Sequence, residues 1–543
     1  MGDMYSEAEL ERLGRMRPAI FPNLLSELGF CFSLVLSQIM AVSFSRVSSV
    51  HRYRYPSWED LCADLHQEYF ISGFNVLLPS LAEGLDIPEA SSSWPSSAFA
   101  LTAGGSLLFF GRLADRYGGF VVFAGGLAWH LVWSLVAGFA KNALMMYFCR
   151  ALQGFGPAAF LSAGIMLLGT TYRPGWRKNL VFSIYGACAP IGFVAGIFVS
   201  GMTGQFLDWR WYFWIGTMLL FLALIAAVLS VPASIRRKPP HPDMSIDWAG
   251  AGLFFCSLVL IFFAINDCGH APDGWRTPYV YITLIVGCFV LLAAIYVEGW
   301  VAKEPLLPLS LFRIPQLSSL LLGLFCFYGV FGIWLLYCVE YMENIMHASP
   351  LLVVAYFVPF ALGGIFFSLI GGLFLHVLPG TVLLVISGIG WLMAPLLFAI
   401  MPLGASYWPY VFPAMICGTL GMDVTYNVTN IFVTTSLPER QQGLAAAVAN
   451  SVLFLGISFW LGWGDFTSAQ VKGDLRARYQ APLWMAVGLA GLGLIIMVLF
   501  VKIKPAKSEV TVDEKEGNSG DTEMVPKQET DIAVNGRDGD VLQ

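Results

Sequence analysis

Charge is what this chain has least of. Asp, Glu, Lys and Arg make up 12% of its 543 residues, about half of the roughly 25% usual in a soluble domain. That excludes a secreted, nuclear or soluble cytosolic enzyme. There is no G-x-x-x-x-G-K-S/T phosphate loop, so an ATP-driven machine would need a separate subunit. The ten cysteines form no C-x-x-C pair and lie mostly in apolar runs, as free core thiols do, rather than in a disulfide frame or zinc site. Clustered His, Cys or acid sets and paired catalytic carboxylates are missing as well. The expectation is a chain that is not an enzyme, with no metal, no cofactor and no nucleic acid as a partner.

What the chain has in excess is apolar length. Apolar residues make up 57% and aromatics 15%, and mean hydropathy is +0.69. The apolar runs are about 20 residues long, not alternating stretches of about ten, which selects membrane-spanning helices over a closed barrel. Thirteen such runs fall between residues 94 and 501. Ahead of them, Leu28–Ala41 and Tyr69–Leu81 are apolar but individually too short to cross about 30 Å of hydrocarbon. Between these pieces lies Val42–Gln67, 26 residues that are polar and carry no helical stripe. Joining Ala41 to Glu68 restores one span of full length, and the segment's codons can supply the boundaries and branch site of a short retained intron. The alternative is a genuine loop between two half-helices.

With that span restored the count is fourteen, and both termini fall on one side. If that side is cytoplasmic, inside segments hold sixteen Lys and Arg and outside segments six, the asymmetry expected of cytoplasmic termini. Three of the six, Lys472, Arg476 and Arg478, crowd into the last outer loop. The first 23 residues are polar and no cleavable signal peptide is expected. Net charge is −6, and residues 505–543, with ten acids and four bases, account for all of it. Such a tail buries too little apolar surface to offset its ordering entropy. The expected organisation is a cytoplasmic segment 1–23, a six-span half 24–231 with the doubtful insert 42–67, a cytoplasmic linker 232–248, two extra spans 249–299, a second six-span half 300–503 and a disordered acidic cytoplasmic tail 504–543.

Several motifs give these spans a mechanism. After span 2 comes Gly111-Arg112-Leu113-Ala114-Asp115-Arg116-Tyr117-Gly118-Gly119, where glycines permit a tight turn and charges sit at a helix end. This resembles the loop between spans 2 and 3 of the major facilitator superfamily, with Gly119 in place of a final base. Arg150, Gln153 and Gly154 in span 4 match that family's R-x-x-Q-G, and an arginine at such depth should face a cavity or a partner. In span 5, Gly186, Pro190, Gly192 and Gly196 resemble the signature shared by the family's antiporters, a helix bend with a small-residue packing face. Asp208-Trp209-Arg210-Trp211 and the Pro305–Phe312 segment look like the fungal form of the fourteen-span drug:proton antiporter branch. The resemblance implies an all-α polytopic fold, two six-helix halves plus two extra helices.

It also implies a search for a proton site. The family's span 1 often carries an acid that aligns here with Phe70. Asp423 in span 12, and Glu68 if the insert is removed, are the remaining acids able to couple protons, together with Arg150. A structural hydrogen bond is the alternative for Asp423. Asn75, Trp334, Tyr337, Tyr356 and Tyr426 are the candidates to line a substrate cavity, unless the aromatics face lipid. The function implied is proton-coupled export of small organic compounds such as drugs or metabolites by alternating access, by a monomer in the plasma membrane whose partners are its substrate, protons and the bilayer. Nutrient uptake by symport or uniport and a non-transporting membrane sensor are the alternatives.

Overall fold

The computed structural model describes residues 69–88, 91–171, 176–230, 245–308, 311–314, 316–374, 378–436 and 439–503. Val42–Gln67, Glu68 and the acidic tail lie outside them. Among the described residues the regular elements are all helical, and the long helices number fourteen when the two pieces of the tenth are taken together. α1 is Phe74–Gly84, entered through a π turn at Tyr69–Gly73. α2 is Trp94–Tyr117, α3 Gly119–Ala137, α4 Ala143–Thr171, α5 Trp176–Phe206 and α6 Arg210–Ser230. Next come α7, Trp248–Asp267, and α8, Pro278–Tyr296. The last six are α9 Leu317–Asn344, α10 in two pieces (Pro350–Tyr356 and Val358–Phe374), α11 Gly380–Ala399, α12 Tyr407–Ser436, α13 Glu439–Gln470 and α14 Leu475–Phe500.

Nine of these are long and apolar enough to cross a membrane, judged by length and composition over the described residues. The described part of α1 has 11 residues after a five-residue π turn and rises only about 24 Å at 1.5 Å per residue. Elsewhere the helices overrun the apolar stretches that announce them. α2 continues through Asp115 and Arg116 until Gly118, whose φ of 101° no side-chain-bearing residue adopts cheaply. α13 continues past Gly464 to Gln470, which brings Asp465 inside a helix.

The packing repeats itself. In the first half α4 packs on α2 and α3, α3 on α6, and α1 with its π turn on α5; in the second half α12 packs on α10 and α11, α11 on α14, and α9 on α13. Each pair is the earlier one moved eight helices along, which is the mark of two related six-helix units. Between the units α2 meets α13 and α5 meets α10, and the same shift exchanges these two seams. α9 lies deepest, with 22 of its 28 residues buried.

α7 and α8 stand outside this repeat. α7 packs on α13 and α2, whereas α8 leans on α7. α8 buries only Val280, Gly287 and Ala294, a single line seven residues apart, and leaves side chains such as Phe289 and Leu292 exposed. An apolar helix exposed over most of its circumference is suited to lipid, not water. Two ends of the bundle matter below: the near end, which carries the α2–α3 turn, and the far end, which carries the α1–α2 and α13–α14 connections.

Candidate functional site

The first half is organised around a buried cation. Arg150 on α4 is 1% exposed, and its guanidinium donates to the carbonyl of Pro95 at 3.3 Å, the carbonyl of Phe70 at 3.1 Å and Gln153 Oε1 at 3.1 Å. The π turn disturbs the regular helical ladder at Phe70, where that carbonyl serves the arginine. The guanidinium also lies over the rings of Phe74 and Phe99, 4.0 and 4.2 Å from their centroids, so ring faces supply part of the negative potential a carboxylate would otherwise give. Among the described residues no carboxylate lies within ion-pair distance of it. Phe70, the residue aligned with the family's acid, is fully buried with its ring edge-on to His130 at 4.6 Å.

Gln153 relays this hub to α3. Its side-chain nitrogen donates to Ser134 Oγ at 2.9 Å, and its backbone carbonyl oxygen is 2.9 Å from His130 Nδ1. Gly154 completes the motif by size alone: a Cβ there would lie 2.5 Å from the carbonyl oxygen of Phe99. Arg150, Gln153 and Gly154 are thus one unit that joins α4 to α1, α2 and α3. His130 and Ser134 were passed over in the sequence because no motif marks them.

The glycine-rich motifs also act by close approach. Gly196 on α5 would place a Cβ 2.6 Å from the carbonyl oxygen of Tyr69, and Tyr69 stacks on Tyr212 of α6 at 4.8 Å. Gly192 is buried on the same helix; Gly186 and Pro190 fall within α5, but their side chains are outside the described set. At the near end Gly118 and Gly119 turn α2 straight into α3, and a Cβ on Gly119 would lie 2.9 Å from Leu167 Cγ. Gly111 has room, with Ser162 Cβ 3.8 Å away. Arg116 lies 5.5 Å from the Tyr117 ring, Asp115 has an interaction partner, and Arg112 Nη2 donates to the carbonyl of Pro305 at 2.9 Å. That last bond ties the α2–α3 turn to the segment preceding the second half.

The other candidates do not converge on one cavity. Asp423 accepts a hydrogen bond from Thr419 Oγ1 of its own helix at 2.7 Å. Asn75 donates to the carbonyl of Ile71 at 2.8 Å and accepts from Ser96 at 3.3 Å. Trp334 is fully buried, 5.7 Å from Phe360, which in turn lies 4.7 Å from Phe193 of α5. It therefore belongs to an aromatic wall across the α5/α10 seam. Tyr356 stacks on Tyr407 at 4.5 Å, and Tyr426 is half-buried on α12.

Tyr337 differs. It lines a cavity of about 160 Å³ at the far end, together with Glu340, Asn344, Asp465, Arg478 and Tyr479. Tyr337 donates to Asp465 Oδ1 at 2.8 Å, and Ser93, just ahead of α2, donates to Asp465 Oδ2. Asp465 therefore holds donors from both halves, although the apolar run that announces its span stops at Gly464. The basic residues of the last connection are engaged here too: Arg478 lines the cavity and Arg476 donates to the carbonyl of Met401 at 2.7 Å, beyond the end of α11.

Duplicated six-helix units meeting along two exchangeable seams, with polar hubs buried inside an apolar exterior, define a polytopic membrane transporter. Residues 68–461 match the family described as Major Facilitator Superfamily, and the chain belongs to it. It is 35% identical over 440 residues to the low affinity ammonium transporter of Saccharomyces cerevisiae, covering 78% of this chain and 83% of that one. To efflux pump terJ of Aspergillus terreus it is 34% identical over 443 residues, covering 80% and 85%. A solved peptide transporter in complex with sulfate superposes with a TM-score of 0.62 at 14% identity, over 91% of this chain and 97% of that one, which speaks for the fold alone.

Proposed function

We propose that this protein is a proton-coupled secondary exporter of small organic compounds, working by alternating access as a monomer in the plasma membrane, with its near end and both termini cytoplasmic. The observation that carries the reading is the pair of seams, α2/α13 and α5/α10, along which two six-helix units can rock about a buried centre. Export is favoured by the likeness to a chain named an efflux pump, and the orientation by the excess of bases in the segments that share a side with the near end. Arg150 and Asp423 are the proposed proton-coupling residues within the spans, with Glu68 a third. A second reading, transport of a small nitrogenous cation in the uptake direction, has support from the likeness to an ammonium transporter.

The test is flux of a fluorescent amphipathic cation, and separately of methylammonium, in sealed vesicles with and without an imposed pH gradient. Gradient-driven flux of the organic cation that disappears in Arg150→Ala is the expected result. Flux indifferent to the gradient would replace the antiporter by a facilitator. Methylammonium flux alone would favour the second reading.

Val42–Gln67 belongs with this proposal as an intron retained in the gene's reading. The family match begins at Glu68, and the apolar run Tyr69–Leu81 is too short to span unless Leu28–Ala41 precedes it directly. Messenger RNA sequenced across the junction should lack these codons, and the flux measurement is made on chains with and without them. Reads that keep the codons in most messages would restore the loop.

A further inference from the structure

The two halves are held together at the far end by a carboxylate. Asp465, on α13 of the second half, is 6% exposed. One of its oxygens takes the Tyr337 hydroxyl from α9, in its own half, and the other takes the Ser93 hydroxyl from the start of α2, in the opposite half. One turn further in, Ser97 and Ser458 meet across the same seam with hydroxyl oxygens 2.8 Å apart, and Ser458 Oγ donates to the Ser97 carbonyl at 3.0 Å. The seam is therefore polar where it faces the far end, and the Asp465 carboxylate takes hydrogen bonds from both halves there.

The cavity beside it puts that carboxylate next to the far-end opening. It is walled by Pro79 and Ala82 of α1, by Tyr337, Glu340 and Asn344 of α9 and by Tyr479 of α14. Glu340 is tied into this wall, accepting from Asn344 at 2.7 Å and from Tyr479 at 3.4 Å.

We propose that Asp465 is the proton-reading latch of the far end: as a carboxylate it ties the two halves together through Ser93 and Tyr337, and a proton reaching it through the far-end cavity releases Ser93 and lets that end open. The chemistry is a change of hydrogen-bond capacity. An ionised carboxylate accepts on both oxygens, whereas a protonated one carries an O–H on one of them and must find an acceptor for it. Two hydroxyl donors then compete for fewer lone pairs, and the charge that strengthened both bonds is gone. The titratable and charged groups around Asp465 are Tyr337 and Glu340 on α9, Arg478 and Tyr479 on α14, and Asp267 and Cys268 at the end of α7. Asp267 accepts the Tyr279 hydroxyl at 2.6 Å.

The latch rests on the alternating-access reading but not on the direction or identity of the cargo. It is tested on the full chain with native cysteines replaced and spin labels at positions 144 and 403, where Leu144 of the first half and Leu403 of the second are exposed. Acidification of the parent should lengthen the distance between the labels by about 5 Å or more, roughly the rise of one helical turn. Asp465→Asn, which keeps the shape, should lose that response, giving one distance distribution at both pH values. Ser93→Ala, which keeps the charge and removes the cross-half donor, should lengthen the distance already at alkaline pH, and it keeps the test decisive if Asp465→Asn does not fold. A parent without pH response, an Asp465→Asn chain that keeps the full response, or a Ser93→Ala chain with the parent's distances would overturn the latch. Flux in the same vesicles separates the two proposals: gradient-independent flux with an intact distance response removes proton-driven export and leaves the latch standing.

Discussion

A guanidinium held by neutral carbonyls and phenyl faces cannot be replaced by a smaller side chain without leaving its partners stranded. Arg150→Ala removes the donor to the Phe70 and Pro95 carbonyls, and each buried acceptor left unsatisfied costs about 1–3 kcal/mol. We expect a clear drop in the thermal midpoint of detergent-solubilised protein, together with loss of flux. Arg150→Lys should recover part of the stability and less of the flux, since a lysine cannot span the same set of acceptors. A midpoint unchanged in the alanine variant would mean that water fills the site. At this scale the sequence was readable where a motif names a residue, as at Arg150, Gln153 and Gly154. It was unreadable where a contact depends on rotation about a helix axis: Tyr337 meets Asp465, whereas Tyr356 pairs with Tyr407, and nothing in the spacing of aromatics separates the two. Asp465 was missed for a related reason, because an apolar run ends at the first charge while a helix ends only when its backbone does.

Helices in this bundle approach one another at glycines, and the distances set what a substitution does. Gly196→Val would push a branched side chain into the backbone of Tyr69 and should cost about 1–3 kcal/mol or more, the range of overpacked cores. It is read as a lower yield of monodisperse protein and a lower midpoint. Gly118→Ala is strained for a different reason, its positive φ, and should cost about 1–2 kcal/mol while leaving helix packing intact. Should Gly118→Ala prove neutral, the α2–α3 turn has relaxed to another geometry. The number and order of helices were legible in the apolar runs, since burial in lipid leaves no other way to satisfy the backbone. Helix ends were less so: α2 and α13 both run on through charged residues because turn glycines and polar partners, not hydropathy, decide where they stop.

At the scale of the molecule, the alternating-access proposal requires the two seams to open and close in turn. Ser97 and Ser458 stand with their hydroxyl oxygens 2.8 Å apart, close enough for the corresponding cysteine pair to bridge. In a background without other cysteines, Ser97→Cys with Ser458→Cys should stop flux under oxidant and regain it with reductant, while each single variant stays active throughout. Flux that continues in the bridged chain would mean that the far end does not part along α2/α13. The existence of two related halves could be anticipated from the family likeness, but which helices face each other across the middle is a property of packing that no single chain segment encodes.

The placement of α7 and α8 gives those seams unequal neighbours. α7 lies against both α2 and α13, so that seam is screened from the surrounding acyl chains. Among the described residues neither α7 nor α8 packs comparably on α5 or α10, and Phe198, Met202, Leu352 and Leu362 stand exposed on those two helices. The bundle therefore turns unlike flanks to the bilayer, one interface roofed by an added helix pair and the other bordered by exposed apolar side chains of the two units themselves.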